Sequence, residues 1–131
     1  MYSIDIIQKS QCLLAEGPVW DERVNCLYWV DILNSRFFRY DDQSGQIDTY
    51  QLNQFVGCVV PTSDPDEVFL GVKHGFASYS LKRGVLEIIA TPEAQRGNNR
   101  FNGGKCDPAG RFWARTMSVM GEKSAGALYM L

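Results

Sequence analysis

"GPVWDERVNCLYWVD", residues 17 to 31, sets out a plan that the chain uses three times. A glycine and a short apolar run lead through the polar turn DERVN into a second run rich in aromatic and β-branched residues. Short apolar runs bounded by turn formers are the mark of paired strands. "GCVVPTSDPDEVFLGV" from Gly57 and "GKCDPAGRFWART" from Gly104 repeat the plan at spacings of 40 and then 47 residues. The first two units continue through a third strand, a turn and a fourth strand, as "FFRYDDQSGQIDTY" (37 to 50) and "FASYSLKRGVLEII" (76 to 89). Four strands in 40 to 50 residues is the period of a propeller blade. Strands are expected at 26–32, 36–41, 47–52, 67–72, 76–81, 85–90, 110–115 and 127–131, with no helix. The expected fold class is therefore all-β, a β-propeller with about two and a half blades, in one partial domain spanning residues 1–131. Closed propellers need at least four blades, because closure removes exposed sheet edges. The count predicts either the amino-terminal half of a longer ring or a half-ring completed against another copy.

Bulk properties narrow the function. Of 131 residues, 45% are hydrophobic and 21% charged, ordinary values for a globular domain. Thirteen basic against fifteen acidic side chains leave a net charge of -2 with no basic run, which argues against nucleic acid. The opening "MYSIDIIQKS" lacks a basic n-region and a long apolar stretch, so no secretory signal is expected. No run approaches the roughly 18 apolar residues of a membrane span. Cys12, Cys26, Cys58 and Cys106 form no CxxC pair and have no nearby histidine, which excludes zinc ribbons and redox motifs. Lying among apolar or strand-forming neighbours, they are expected to be buried, reduced thiols of a cytoplasmic protein, with disulfides as the alternative.

The stretch "NNRFNGGKCDPAGRFWARTM" (98 to 117) holds the densest polar chemistry. Gly104-Lys105 suggests a P-loop, but that pattern needs glycine where Asn99 stands and Ser or Thr where Cys106 stands. "DPAG" reads as a turn in which Asp107 caps and Gly110 takes positive φ. "NNRFN" reads as a loop before it, and Lys105 as solvent-facing. Trp20, Trp29 and Trp113 are expected to pack between blades.

"EGPVWD" (16 to 21), "LYWVDI" (27 to 32) and the 98–117 stretch ending in "GALY" (126 to 129) together resemble the senescence marker protein / gluconolactonase / regucalcin family. The resemblance runs along essentially the whole chain and corresponds to roughly the first half of a family member. It implies a six-bladed propeller and divalent-metal-dependent hydrolysis of sugar lactones such as gluconolactone, the ion being Ca, Zn, Mg or Mn. By the same resemblance Glu16 is a metal-binding carboxylate, and Arg100 and Asn102 of "RFN" contact the substrate. A carboxylate suits a hard divalent ion, and a guanidinium with a carboxamide suits sugar hydroxyls and a lactone carbonyl. Read without that context, Glu16 is a solvated surface charge and "NNRFN" a polar loop.

Two positions depart from the family pattern: Gly103 stands where aspartate is usual, and Arg115 where glycine is usual before "TM". The family's two further metal ligands, one of which serves as base, fall outside the matched half, so no catalytic base is assigned in this chain. The implied function is a sugar lactonase with its site incomplete here. The alternative is a non-catalytic metal-binding or interaction fragment. The expected partners are a small sugar lactone and a second copy of the chain through the open propeller edges, with no nucleic acid and no membrane.

Overall fold

The structure is a computed structural model and describes residues 1–9 and 11–131; the last residue of the opening decapeptide, Ser10, lies outside it. Three antiparallel sheets follow one another along the chain. The first contains β1 (Ala15–Asp21), β2 (Cys26–Asp31), β3 (Arg36–Asp41) and β4 (Ile47–Gln51). The second contains β5 (Val56–Pro61), β6 (Glu67–Val72), β7 (Gly75–Ser80) and β8 (Val85–Ala90). The third contains β9 (Asn99–Cys106), β10 (Phe112–Ser118) and β11 (Leu128–Met130). Each sheet is a simple meander in chain order, and no helix occurs among the described residues. The first strands β1, β5 and β9 meet one another, while β4 and β8 lie at the periphery. Radial four-stranded meanders whose inner strands converge are the blades of a β-propeller.

Local sequence explains the meanders. In the β1–β2 turn the Asp21 carboxylate accepts from the Arg23 amide at 3.1 Å, and Asn25 takes φ 51°, a conformation asparagine tolerates. In the β9–β10 turn the Asp107 carboxylate accepts from the Ala109 and Arg111 amides at 2.9 and 3.0 Å, and Gly110 has φ 83°. Asp107 is thus the turn-capping residue expected, and Lys105 is exposed.

Alternation along the strands sends one face of each sheet to its neighbour. Cys26, Tyr28, Val30 and Phe37 of the first sheet bury against Val56, Val59, Leu70, Val72 and Tyr79 of the second. Cys58, Val60 and Phe76 on the opposite face of the second sheet meet Phe101, Phe112 and Ala114 of the third.

Every inner strand carries a bulge containing a glycine. Register slips between Glu16 and Val19 in the first sheet, between Val56 and Cys58 in the second, and opposite Ala114/Arg115 in the third. The third bulge residue is Gly103, because Asn102 pairs with Arg115 and Gly104 with Ala114. The sequence alignment on Gly104 is therefore off by one position, and Gly104 lies deep in β9, not at its start. Likewise "NNRFN" is not a loop, since Asn99 to Asn102 already belong to β9.

Two other expectations are corrected. Trp20 and Trp113 are exposed, and no sheet covers them. Trp20 pairs with Leu27 on the outer face of the first sheet, whereas Trp113 pairs with Met130 on the opposite outer face, of the third. Trp29 is half-buried and stacks on Phe38 of its own sheet, with ring centroids 5.0 Å apart. Of the four thiols, all unpaired, only Cys26 and Cys58 are buried, while Cys12 is half-buried and Cys106 exposed. Cys106 ends β9 at the sheet's rim, where the apolar neighbours that sequence suggests do not close over it.

Candidate functional site

Glu16 is the second residue of β1, exposed, with its backbone opposite Val30. Gly17 follows at φ 59°, a left-handed conformation that starts the bulge and is open to glycine. The approach to Glu16 is fixed by Asp31, which is fully buried at the end of β2. One Asp31 oxygen accepts from the amides of Leu13 and Leu14 at 3.1 and 3.0 Å. The other accepts from the Asn34 carboxamide at 2.7 Å and the Arg36 Nε at 3.1 Å. Burial pushes the Asp31 pKa up, but the bonds from Leu14, Asn34 and Arg36 prevail and hold it below the usual carboxylate range. A buried carboxylate with its lone pairs filled in this way is a rigid anchor.

Arg100 and Asn102 flank Phe101 in β9. Arg100 is buried, at 6% exposure, and its Nη1 donates to the Phe101 carbonyl at 3.0 Å. Burial lowers its pKa, while the Glu16 carboxylate lies within electrostatic reach and pulls the other way. Among the described residues it makes no other hydrogen bond, so four of the five guanidinium N–H donors remain. Asn102 is half-buried across the ladder from Arg115.

The start of β9 is held by Glu93, in the segment between the second and third sheets. Its carboxylate accepts from the Asn99 carboxamide at 2.8 Å, the Thr116 hydroxyl at 2.8 Å and the Tyr129 hydroxyl at 3.0 Å. Asn99 also donates to the Ala125 carbonyl at 2.7 Å. Glu93 thereby ties β9, β10 and β11 together one residue from Arg100. Neither Asp31 nor Glu93 stands out in the sequence. The only signal is an acidic residue at a strand end or in a connecting segment, which many solvated positions share.

Glu16 and Arg100 thus each lie near the start of an inner strand, in the first and third sheets on either side of β5, within electrostatic reach of one another. A cavity of about 530 Å³ includes Glu16 but neither Arg100 nor Asn102. Pro18, Leu27 and Trp29 line it, so it is an apolar groove on the outer face of the first sheet, not a pocket joining the three residues. A second, polar cleft of about 330 Å³ beside Lys73, Glu93 and Arg96 takes in Asn99. Glu16 offers one carboxylate, and among the described residues no three His, Cys, Asp or Glu side chains converge to hold an ion. Calcium takes six to eight oxygens and zinc about four ligands. These residues alone do not make a metal site.

The architecture defines the class: radial antiparallel blades with polar side chains at the starts of the inner strands, a β-propeller. Comparison with known proteins gives the family. Residues 14–131 match the family model of the SMP-30/Gluconolactonase/LRE-like region, and the chain belongs to that family. It is 38% identical to the putative sugar lactone lactonase YvrE of Bacillus subtilis over 93% of its length, and 37% identical to the regucalcin of Gallus gallus over 98%. It spans 41% and 44% of those two proteins. The structure of a calcium-binding protein, regucalcin, from Agrobacterium tumefaciens superimposes with a TM-score of 0.89 at 26% identity, over 96% of this chain and 42% of that one.

Proposed function

We propose that the three sheets carry part of the site of a divalent-metal-dependent sugar lactonase, in which Arg100 and Asn102 bind the lactone and Glu16 contributes one metal ligand. The observation that supports it most is the buried Arg100, placed like Glu16 at the start of an inner strand, in a chain whose relatives include a putative sugar lactone lactonase. Burying a guanidinium is costly unless its charge and donors are used. A lactone offers ring and carbonyl oxygens for those donors, and the Asn102 carboxamide can hydrogen-bond an adjacent hydroxyl. The residues present bind and orient; no base among them is assigned. A divalent ion would supply further polarisation of the carbonyl. A cytoplasmic location goes with this reading, as the four thiols are unpaired.

The test is lactone ring opening, followed with and without chelator and with added Ca, Zn, Mg or Mn. The expected outcome is chelator-sensitive hydrolysis of gluconolactone by the protein once all the metal ligands are present, and none above buffer by residues 1–131 alone. Hydrolysis unaffected by chelator would sink the metal assignment. One observation favours the second reading, a non-catalytic interaction module: Trp20 at one outer face and Leu128 and Met130 at the other are large, apolar and exposed. On that reading two copies associate through these faces, and sedimentation at micromolar concentration would show a dimer.

A further inference from the structure

The geometry points to Arg115 as a charge-reading residue beside Asn102, so that the ligand of this site is an anionic sugar lactone, one bearing a carboxylate, phosphate or sulfonate in addition to its ring. The inference rests on the proposed role of Arg100 and Asn102 in lactone binding and adds the class of lactone.

Four observations carry it. In the β9–β10 ladder Arg115 is the direct partner of Asn102, and Met117 that of Arg100. Side chains of directly paired residues share a face with Cβ atoms about 5 Å apart, and the diagonal neighbour is about 7–8 Å away. Arg115 is therefore adjacent to Asn102 and diagonal to Arg100. Phe112, Ala114, Thr116 and Ser118 turn to the buried side while Trp113, Arg115 and Met117 alternate outward, which fixes the face.

The second observation is the space left for the side chain. The bulge residue beside the pair is Gly103, and the Arg115 Nε and Nη2 lie 3.9 Å from where a Cβ at that position would stand. The guanidinium lies over backbone that carries no side chain.

Third, Arg115 is uncommitted. The ion pairs among the described residues use Arg23, Arg36, Arg39 and Arg111, each with an aspartate. Arg115 is in none of them and is exposed. Fourth, Arg100 and Arg115 bring two guanidiniums to neighbouring positions of the β9–β10 ladder, and among the described residues neither forms an ion pair. Two unpaired cations this close repel each other, and a ligand whose tail carries negative charge relieves that repulsion where a neutral one does not. Guanidinium is well matched to carboxylate, phosphate or sulfonate oxygens through paired N–H donors.

The test is calorimetric titration of the purified protein with D-glucaro-1,4-lactone, which carries a carboxylate, and with D-glucono-1,4-lactone, which has the same ring and no charge. The expected result is about tenfold tighter binding of the anionic lactone at low salt, the value of one charge-assisted hydrogen bond at a partly exposed position. That preference should shrink as salt is raised. Arg115→Gln should bring the anionic lactone to the affinity of the neutral one, and Arg115→Lys should keep part of the preference, with circular dichroism verifying that both variants fold. Equal affinity for the two lactones, or a preference that survives Arg115→Gln, overturns the inference while leaving the lactone reading intact. Binding of neither lactone removes the lactone reading and this inference with it.

Discussion

Between the first and second sheets the contact is made by large side chains. Phe37 lies edge-on to Tyr79 at 5.3 Å, Tyr50 packs on both, and Tyr28, Val30, Val59 and Leu70 fill the remainder. Between the second and third sheets, backbone does as much as side chains. A Cβ added to Gly57 would run into the Phe101 carbonyl and the Asn102 amide, one added to Gly71 would stand 3.1 Å from the Phe101 Cβ, and one added to Gly104 would stand 2.7 Å from the Cys58 sulfur. The Phe76, Phe101 and Phe112 rings close the rest, at 4.7 and 5.2 Å. Side chains such as Val and Tyr settle a spacing with some latitude, because rotamers adjust. Strand backbones in contact have none. The second junction therefore fixes β9, and with it Arg100 and Asn102, more tightly than packing of long side chains could.

The largest effect that separates the junctions is expected from Phe101→Ala. Truncating a buried phenylalanine costs about 4 kcal/mol through lost burial and a residual cavity. Phe37→Ala at the first junction should cost a similar amount in urea unfolding. Only Phe101→Ala should also abolish lactone binding, as Arg100 and Asn102 are its chain neighbours. Equal loss of binding in the two variants would show that the junctions do not differ in what they position.

Gly57→Ala comes next. The new methyl group meets backbone on both sides of the Phe101–Asn102 peptide, so β9 must move, at about 3 kcal/mol for overpacking that side chains cannot absorb. A urea midpoint unchanged from the parent protein would mean that β9 shifts freely, and the contrast drawn between the junctions would not stand.

Asp31→Asn should cost about 2 kcal/mol, because a buried carboxylate hydrogen-bonded to two amides, Asn34 and Arg36 loses its charge. The sign with pH follows from the lowered folded pKa. Its contribution is complete above the unfolded value, near 3.9, and is lost as pH falls through the lower folded value. Urea midpoints taken from pH 6 down to pH 2 should fall less for Asp31→Asn than for the parent. Because Asp31 anchors residues 13 and 14, the substitution should loosen the approach to Glu16 and leave the second junction unaffected.

Much of this architecture is written in the chain. The runs at 26–31, 36–41, 67–72 and 85–90 are rich enough in aromatic and β-branched residues, and clearly enough bounded by turn formers, for their strands to follow from sequence. β9 does not, since "NNRFNGGK" has neither alternation nor β-branched residues and becomes a strand only by pairing with β10. That also hides the bulge, as Gly103 and Gly104 are equivalent on paper and only the ladder separates them. Of the three tryptophans, Trp29 shows a partner that sequence did not suggest, stacking on Phe38 of its own sheet. Of the candidate site, Glu16, Arg100 and Asn102 were proposed from a family likeness alone. Asp31 and Glu93, which hold them, were not, because a buried acceptor and a solvated one look the same in sequence.

The smallest effect concerns the two buried thiols, which report on the junctions separately. Cys26 is fully buried in the first, and Cys58 sits at 1% exposure in the second. Burial pushes the Cys58 thiol up to about 12 and raises that of Cys26 as well, so neither presents much thiolate at neutral pH. Cys106, exposed at the end of β9, should be alkylated first, and its rate should be insensitive to the junctions. Labelling of Cys26 and Cys58 requires local opening, so their rates measure the free energy of parting one pair of sheets. In the parent protein both should be slow. In Gly57→Ala the Cys58 rate should rise several-fold or more while the Cys26 rate stays unchanged, because the added methyl forces apart only the strands that enclose Cys58. A parallel rise at both cysteines, read by mass spectrometry of quenched samples, would mean that the three sheets open as one cooperative unit and that the close backbone contact at Gly57 has no separate mechanical role.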